Sequence, residues 1–468
     1  MNFLPVVLWT DALFFLLVVV GGGMIFHVRR SAPLREAWGK VGRRATGMAS
    51  ASVLLVFLMI GVVDSLHYRL ALPAAPGDAK VAYSSEVLSA LDAALASLRK
   101  QTEKTYSAPF ATELYAREAV ELPGGGQSRI YPRLAHGGAH LANTETDRAG
   151  DIAGRALAGL ATGLLVWGGI ALAVMSGLAR SSGLGLVDSA RALAGGRTVL
   201  AWRAALVTLG LLLLCGGVLV ALAPYYHVFG TDKVGQDVLY LSLKSVRTAL
   251  IIGTLTTLVM LPFAVALGIL AGYLGGWVDD LIQYLYTVLS AIPGVLLIAA
   301  AVLMMQVVID THLQWFSTAA ERADARLMAL CMILGITSWT GLCRLLRGET
   351  LKLRELEYVQ AARAFGVRTS AIMRRHVLPN VMHIVLIALV MDFSGLVLAE
   401  AVLSYVGIGV DPTTISFGTM INMARAELAR DPMVWWSLLA AFVFMFVLVL
   451  SANLFADVVR DAFDPRRS

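Results

Sequence analysis

The sequence predicts an all-α integral membrane protein, because its composition is strongly apolar and its apolar residues fall in long stretches. Hydrophobic residues make up 58% of the 468 residues, and charged residues make up only 15%. The mean hydropathy is +0.73. Soluble domains carry about 25% charged residues, so most of this chain must lie in an environment other than water.

Nine stretches approach the length of about 20 apolar residues that a bilayer-crossing helix needs. They are residues 4–27, 45–64, 155–179, 203–226, 245–274, 281–309, 326–346, 381–405 and 434–457. The seventh and eighth stretches are interrupted by the polar residues Thr337, Trp339, Asp392 and Glu400. The first is followed by Arg29 and Arg30 instead of a small-residue cleavage site, which indicates a retained anchor and not a signal peptide.

Lysine and arginine in three connecting loops predict the orientation, because short basic loops stay on the cytoplasmic side. Loops 28–45, 180–203 and 344–380 carry six, four and eight basic residues against one, one and three acidic residues. Even numbers of spans separate these loops, as a single topology requires. We therefore expect the N-terminus and residues 66–153 outside the membrane, and the C-terminus in the cytoplasm.

Residues 66–153 are the one sizeable segment predicted to lie outside the membrane. Residues 84–86 resemble a helix start and precede apolar residues spaced for one helix face between 87 and 98. Residues 119–122 and 129–133 flank a Pro-Gly-Gly-Gly sequence, which predicts a turn between two short strands. His136 and His140 are four apart but lack a nearby third ligand, so we interpret them as solvated loop histidines and not as a metal site.

The loop at residues 353–380 predicts a short helix, a break and a second short helix. The residues spaced for one apolar face of the first helix are Leu353, Leu356, Val359 and Ala362. Gly366 suits the left-handed conformation that ends a helix, and Thr369 or Ser370 can cap the next one. Pro379 suits the start of the following span. From the residues alone, this elbow could be a lever pressed into a groove on a partner, or a basic loop lying on lipid headgroups.

Residues 357–366 and 375–380 resemble the EAA loop of binding-protein-dependent ABC permeases, in the variant of the oligopeptide, dipeptide and nickel branch. Residues 229–239, 271–279, 400–409 and 460–466 resemble further motifs of this branch, in the family's order. The resemblance covers residues 202–468, a little over half of the chain.

The resemblance implies a type I ABC importer permease core of six spans at residues 202–468, with the EAA loop at 353–380. The preceding residues then divide into a two-span extension (1–65), an external or periplasmic segment (66–153), and a third extra span with a cytoplasmic loop (154–201). Nothing in the resemblance explains this extension.

The resemblance also implies the permease subunit of an ATP-driven importer in the bacterial inner membrane. The implied partners are two ABC ATPase subunits, a second similar permease subunit, an external substrate-binding protein and membrane lipid, without nucleic acid. ATP and Mg would be bound by the ATPases and no cofactor or metal by this chain, which lacks a Gly-x-x-x-x-Gly-Lys-[Ser/Thr] phosphate loop and is predicted not to be an enzyme. The expected cargo is a peptide or a related small solute, but nickel and other solutes use the same permease motifs.

The matching positions of the EAA loop imply a site for coupling to the ATPase. They are Glu357, Tyr358, Gln360, Ala361, Ala362, Gly366, His376, Leu378, Pro379 and Asn380. The external motif contributes Gly230, Thr231, Asp232, Gly235 and Asp237. Gln360 stands where the family usually has glutamate, so this position lacks the charge that a salt bridge to the ATPase would need. Gln236 likewise replaces a usual arginine.

Asp392 and Glu400 are candidates for the translocation pathway, because they lie eight residues apart in the eighth span. Ionisable groups in membrane helices are costly and usually face the bundle interior or an aqueous cavity. For Glu400, which lies in a family motif, we expect an interhelical or gating hydrogen bond. For Asp392 the hypothesis is that it lines the pathway and favours cationic or zwitterionic cargo.

Two other classes of protein fit the sequence less well. A self-sufficient secondary transporter or channel would predict paired, broken helices in two repeats, and no repeat is visible. A membrane-embedded enzyme would need clustered histidines or a nucleophile with a base, but the eight histidines are scattered.

Overall fold

The structure is a computed structural model that describes residues 3–72, 82–121, 127–183 and 185–463, most of them in α-helices. The helices of this part are α1 Trp9–Arg30, α2 Ala32–Arg43, α3 Ala45–Asp64, α4 Ala90–Ala94, α5 Ala96–Lys100, α6 Arg148–Ser182, α7 Leu186–Ala194, α8 Trp202–Leu222, α9 Val238–Leu274, α10 Gly276–Ala291, α11 Gly294–Thr311, α12 Ala319–Ser338, α13 Thr340–Arg354, α14 Glu357–Ala364, α15 Thr369–Ile372, α16 Leu378–Val406, α17 Phe417–Glu427 and α18 Trp436–Phe463. Among the described residues, nine helical segments are long and apolar enough to cross a membrane. The nine predicted spans are thereby confirmed in number and order.

Two predicted spans have the wrong limits. The first was expected from residue 4, but Phe3–Val6 form a strand and the helix begins at Trp9. The sixth was expected as one helix over residues 281–309, but it divides into α10 and α11 around Pro293. Proline has no backbone N–H to donate, and it holds the preceding Ile292 in an extended conformation, which ends α10.

The segment between α3 and α6, called the cap below, lies against one end of the helix bundle. Its strands and the N-terminal one are β1 Phe3–Val6, β2 His67–Leu70, β3 Leu88–Ser89, β4 Glu118–Glu121 and β5 Gln127–Ile130. The first three form an antiparallel sheet in the order β1-β2-β3, with Phe3 opposite Leu70. β4 and β5 pair antiparallel, as predicted, whereas the predicted turn at 123–126 lies outside the described residues.

The helix predicted to start at residues 84–86 begins later, at Ala90. Ser84 donates its backbone N–H to the Leu70 carbonyl, so this stretch runs alongside β2 instead of coiling. The helix start is set by Ser89, whose hydroxyl accepts from the Asp92 N–H at 3.1 Å. The Asp92 carboxylate accepts in turn from the Ser89 N–H at 2.8 Å, which completes a capping box.

The opposite end of the bundle, called the elbow end, carries the loop between α13 and α16. Helix α2 also lies there, because the Trp38 ring packs against Phe463 near the end of α18, with ring centroids 5.6 Å apart. Arg44 pairs with Asp461 at 2.5 Å at the same end. The cap and the elbow thus lie at opposite ends of the long helices.

The helices approach one another closely where glycines face a neighbouring backbone. A methyl group on Gly272 of α9 would lie 2.7 Å from the Arg347 carbonyl oxygen of α13. A methyl group on Gly159 of α6 would lie 2.5 Å from the Gly217 carbonyl oxygen of α8. Small residues of this kind allow tight packing in lipid, where the hydrophobic effect does not drive helices together. Gly268 and Gly272 therefore let α9 pack closely on α13.

Candidate functional site

The elbow is a helix–glycine–helix turn centred on Gly366, as predicted. Gly366 has φ +76°, in the left-handed region that favours glycine. Its N–H donates to the Arg363 carbonyl at 3.0 Å, and the Val367 N–H donates to the Ala362 carbonyl at 3.1 Å. This pair of bonds closes α14 with the geometry of a Schellman motif.

Two details of the elbow prediction are wrong. Leu356 was expected on the buried face of the first helix, but the chain breaks before α14 and leaves its side chain 43% exposed. Thr369 or Ser370 was expected to cap the second helix, but Arg368 holds the capping position and both hydroxyls lie inside the first turn. Val359 is 1% exposed and anchors α14 in an apolar cluster that includes Ile372.

Three of the candidate coupling residues meet across the elbow. The Asn380 amide donates to the Tyr358 hydroxyl at 3.0 Å and to the His376 carbonyl at 2.6 Å. The rings of Tyr358 and His376 lie 6.0 Å apart between centroids. These contacts hold α14 against the start of α16, where Pro379 occupies the second position as expected. A π-helical turn over Met373–Val377 joins α15 to α16, so the second arm of the elbow leads directly into the long helix.

The departure at Gln360 has a local explanation. The Gln360 amide donates to the backbone carbonyl of Glu355 at 3.2 Å and approaches its carboxylate at 3.4 Å. A glutamate at position 360 would place a second carboxylate beside Glu355. The amide therefore replaces a repulsive pair with a hydrogen bond.

The first arm of the elbow is held by the motif at residues 271–279. The Arg347 guanidinium of α13 bonds both carboxylate oxygens of Asp279, at 2.5 and 2.7 Å. Hydrogen bonding from Arg347 lowers the pKa of Asp279 despite partial burial. Next to this pair, α13 lies directly on Gly268 and Gly272. The motif thus fixes α13, and with it the position of the elbow, relative to α9.

Phe365 is a candidate functional residue that sequence reasoning missed. Its side chain is 87% exposed at the outermost part of the elbow, directly before Gly366. Tyr358, on the preceding helix α14, is 44% exposed. The available signal was a large aromatic residue placed off the apolar face, just before a helix-ending glycine.

At the cap end, Asp237 connects the external motif to a buried row of charged side chains. One Asp237 oxygen accepts from the N–H groups of Leu239 and Tyr240, at 2.9 and 3.3 Å, and so caps α9. The other oxygen lies 2.8 Å from Nδ1 of His227. Nε2 of His227 lies 3.3 Å from the Glu103 carboxylate in the cap. All three side chains are almost completely buried.

The charged forms of His227 and Glu103 stabilise each other. Burial alone would lower the pKa of His227, but its bonds to Asp237 and Glu103 outweigh burial and raise it to about 9. Burial would raise the pKa of Glu103, but His227 and the backbone N–H groups of residues 135–137 lower it to about 2. The His227 imidazolium and the Glu103 carboxylate are therefore both charged at neutral pH. Sequence reasoning missed Glu103 and His227, because the two lie 124 positions apart.

The remaining residues of the external motif attach the cap to the helix bundle. The Thr231 hydroxyl accepts from the Ser107 N–H at 2.6 Å, and the Thr231 carbonyl accepts from the Trp436 indole at 2.9 Å. The Gly235 carbonyl accepts from the Glu103 N–H at 2.9 Å. The further turn-forming residues are Gly230, with φ +71°, and Asp232, whose carboxylate accepts from the Val234 and Gln236 N–H groups. The five predicted motif residues are thus brought together at the junction of cap and core.

The two pathway candidates have different environments. Glu400 is 2% exposed and accepts from the hydroxyls of Ser404 at 2.6 Å and Ser416 at 2.9 Å. Because Ser416 caps α17, this hydrogen bonding joins α16 to α17. Asp392 is only partly buried. It lies about 12 Å from Glu400 along the helix axis, so the structure does not bring the two carboxylates together.

In the part of the chain that the structure describes, no group of three His, Cys, Asp or Glu residues is arranged to hold a metal ion. Of the two loop histidines, His140 bonds the Asp151 carboxylate at 2.8 Å. Asp151 also accepts from Arg155 and Tyr226, both at 2.8 Å, so this cluster ties the start of α6 to the residues after α8.

The bundle of apolar, membrane-length helices defines an integral membrane protein, and the exposed elbow at one end offers a surface to a partner. Residues 264–468 match the family model described as "Binding-protein-dependent transport system inner membrane component". The chain belongs to this family, and it is a permease subunit of an ABC importer.

Several relatives are similar to about half of the chain. The Oligopeptide transport system permease protein OppC of Mycobacterium tuberculosis (strain ATCC 25618 / H37Rv) is 33% identical over 239 residues, covering 51% of this chain and 76% of the relative. The Glutathione transport system permease protein GsiD of Pectobacterium atrosepticum is 32% identical over 242 residues, covering 51% of this chain and 73% of the relative. The Dipeptide transport system permease protein DppC of Lactococcus lactis subsp. cremoris is 31% identical over 242 residues, covering 52% and 64%.

A solved structure of the MetNI methionine ABC transporter in an inward-facing conformation is also similar, at 17% identity. It covers 48% of this chain and 97% of its own, with a TM-score of 0.35. The family places the chain as a multi-pass protein of the bacterial inner membrane, in an assembly with ATPase and substrate-binding partners. The similar permeases and the family model confirm the family and function predicted from the motifs.

Proposed function

We propose that this chain forms half of the pathway of an importer for peptides or related small solutes, and that a separate ATPase docks on the elbow at residues 353–380. The observation that carries the proposal is Phe365, an exposed aromatic side chain on a rigid turn. Aromatic anchors are enriched among the residues that dominate binding energy at protein interfaces. The names of the similar permeases, which mention oligopeptides, dipeptides and glutathione, support the cargo class.

The elbow is suited to transmit movement, because both of its arms lead into membrane helices. Its first arm follows α13, which Asp279 and the glycines of α9 hold in place. Its second arm leads into α16, which carries Asp392 and ends beyond Glu400. A displacement of the elbow would therefore move the interior of the bundle. We infer two ATPase subunits that bind ATP and Mg, and a second, similar permease subunit on the other side of the pathway.

We propose that the elbow end faces the cytoplasm, with the N-terminus and the cap outside. The structure supports this orientation by placing two of the basic loops at the same end. Leu34, between α1 and α3, lines the same cavity as Pro379 and Met382 of α16. The loops 28–45 and 344–380, each rich in arginine, thus share one side of the membrane, as the positive-inside rule requires. The external binding protein would then meet the cap end.

Replacement of Gly366 tests the docking proposal. In the reconstituted transporter, Gly366→Val should greatly reduce ATP hydrolysis and uptake together, because valine opposes the positive φ that forms the elbow. Gly348→Val is the matched control, since Gly348 also has open space around it but lies inside α13 without positive φ. Wild-type hydrolysis in Gly366→Val, or full transport by the permease without any ATPase, would refute the proposal.

Asp392 provides the test of cargo preference. If its carboxylate lines the pathway, Asp392→Asn should reduce uptake of cationic peptides more than uptake of neutral ones, because the attraction for positive charge is lost. Uptake assays with matched lysine-containing and serine-containing dipeptides measure the difference. Wild-type uptake of every cargo would exclude this role.

A further inference from the structure

Two buried cations of the permease core lie near the cap end of α9. The side chains of Lys244 and Arg247 are only 14% and 11% exposed. A charge withdrawn from water is costly unless a partner of opposite sign compensates it. The identity of these partners therefore shows what the core depends on.

In the described part of the chain, every carboxylate that forms an ion pair with Lys244 or with Arg247 comes from residues before the core. Lys244 Nζ lies 2.7 Å from Asp64 at the end of α3 and 3.1 Å from Asp92 in the cap. Arg247 Nη2 lies 2.5 Å from Asp11 in the first turn of α1. Residues 264–468 match the family model, whereas these three aspartates come earlier in the chain, in the N-terminal extension.

A second link joins α1 to α12 of the core. The Asp324 carboxylate accepts from the Thr10 N–H at 3.2 Å and also from the Thr10 hydroxyl. Leu8 precedes α1 and has an apolar side chain that cannot cap it, so Asp324 takes the place of an N-cap from another helix. His67 of the cap lies 2.7 Å from the second oxygen of Asp11 and completes the cluster.

The same end of α12 also contacts the loop at residues 407–416, which lies at the cap end of the core and is called the mouth below. Arg326, two residues after Asp324, bonds Asp310 at the end of α11 and Asp411 in the loop between α16 and α17. That loop follows the motif that contains Glu400, whose carboxylate joins α16 to α17. Polar contacts thus join Thr10 to the start of α12, and the same end of α12 to the loop at residues 407–416.

We propose that the N-terminal extension is a clamp that positions the cap-end mouth of the pathway. Asp11, Asp64 and Asp92 fix α9, Thr10 and Asp324 fix α12, and α12 holds the 407–416 loop through Arg326. The aspartates act as positioning residues for transport, because they reach the mouth only through the core helices. This inference rests on the chain being an importer permease and not on where the ATPase docks.

The test uses the complete transporter with a single cysteine at position 410 and with Cys215, Cys331 and Cys343 changed to serine. Val410 is 6% exposed in the 407–416 loop, so a membrane-impermeant maleimide should label Val410→Cys slowly. In Asp11→Asn the labelling rate should rise about fivefold or more, the size of a typical coupling between sites. ATP hydrolysis should then continue with less uptake per ATP. The double exchange Asp11→Arg with Arg247→Asp should bring both values back toward the wild type.

Two controls separate positioning from folding. Glu86→Gln removes a carboxylate of the cap that pairs with Arg99 and not with Lys244 or Arg247, and it should leave labelling unchanged. Thr10→Val removes only a hydroxyl, so it can be tested even if Asp11→Asn does not fold. It should also raise the labelling rate of Val410→Cys. Wild-type labelling and coupling in folded Asp11→Asn or Thr10→Val would overturn the proposal, whatever happens to the Tm.

Discussion

Removal of the Phe365 side chain should weaken binding of the ATPase without disturbing the permease. Phe365 is 87% exposed, so nearly all of its apolar surface remains available to a partner. Full burial of a phenylalanine stabilises an interface by about 1.5–3 kcal/mol. Phe365→Ala should therefore lose about 2 kcal/mol of binding free energy, which corresponds to a roughly 30-fold higher Kd.

The assay is a titration of purified ATPase subunits onto the permease in lipid nanodiscs. Phe446→Ala serves as the matched control, because Phe446 is also exposed, at 51%, but lies in the middle of the α18 membrane helix. Phe365→Leu should lie between the wild type and Phe365→Ala, since leucine keeps much of the apolar area. An unchanged Kd for Phe365→Ala, or an equal loss in Phe446→Ala, would refute the assignment of the elbow as the anchor.

Two further predictions concern the supports of the site. The Tm should be highest between about pH 4.5 and 6.5: the contribution of His227, whose pKa of about 9 is above its ordinary value, is lost as pH rises through 9. The contribution of Glu103, whose pKa of about 2 is below its ordinary value, is lost as the pH falls toward 2. His227→Gln should flatten the alkaline side of the Tm profile, and a wild-type profile in that variant would contradict the cluster's role. Gly272→Val should force α9 and α13 apart, which lowers the Tm through about 1–3 kcal/mol of overpacking and reduces ATP hydrolysis. Gly294→Val should change neither the Tm nor ATP hydrolysis, because Gly294 has open space around it. Equal Tm values in the two variants would exclude the close packing of α9 and α13.

The features that sequence could predict depend on local patterns. Apolar stretches predicted nine spans because each helix must satisfy its backbone within itself in lipid. Gly366 predicted the elbow because few other residues adopt positive φ. The limits of the sixth span were wrong because hydropathy does not register the break at Pro293, and the strand at Phe3–Val6 depends on pairing with residues more than 60 positions away.

The features that sequence could not predict depend on distant partners. Glu103 meets His227 across 124 positions, and Asp11 meets Arg247 across 236. Neither side of these pairs has a distinctive neighbourhood in the sequence. Phe365 could not be singled out either, because what distinguishes it is the exposure of its side chain in the folded elbow, and the sequence does not show exposure.

Photo-crosslinking from position 365 is the most direct test of ATPase docking at the elbow. A photoreactive phenylalanine analogue replaces Phe365 in the assembled transporter in native membranes, and a second variant carries the analogue in place of Phe446. We expect an adduct with the ATPase subunit from position 365 and an adduct with lipid from position 446. Adducts with lipid alone from position 365, in a transporter that retains its ATPase and its activity, would contradict docking at the elbow.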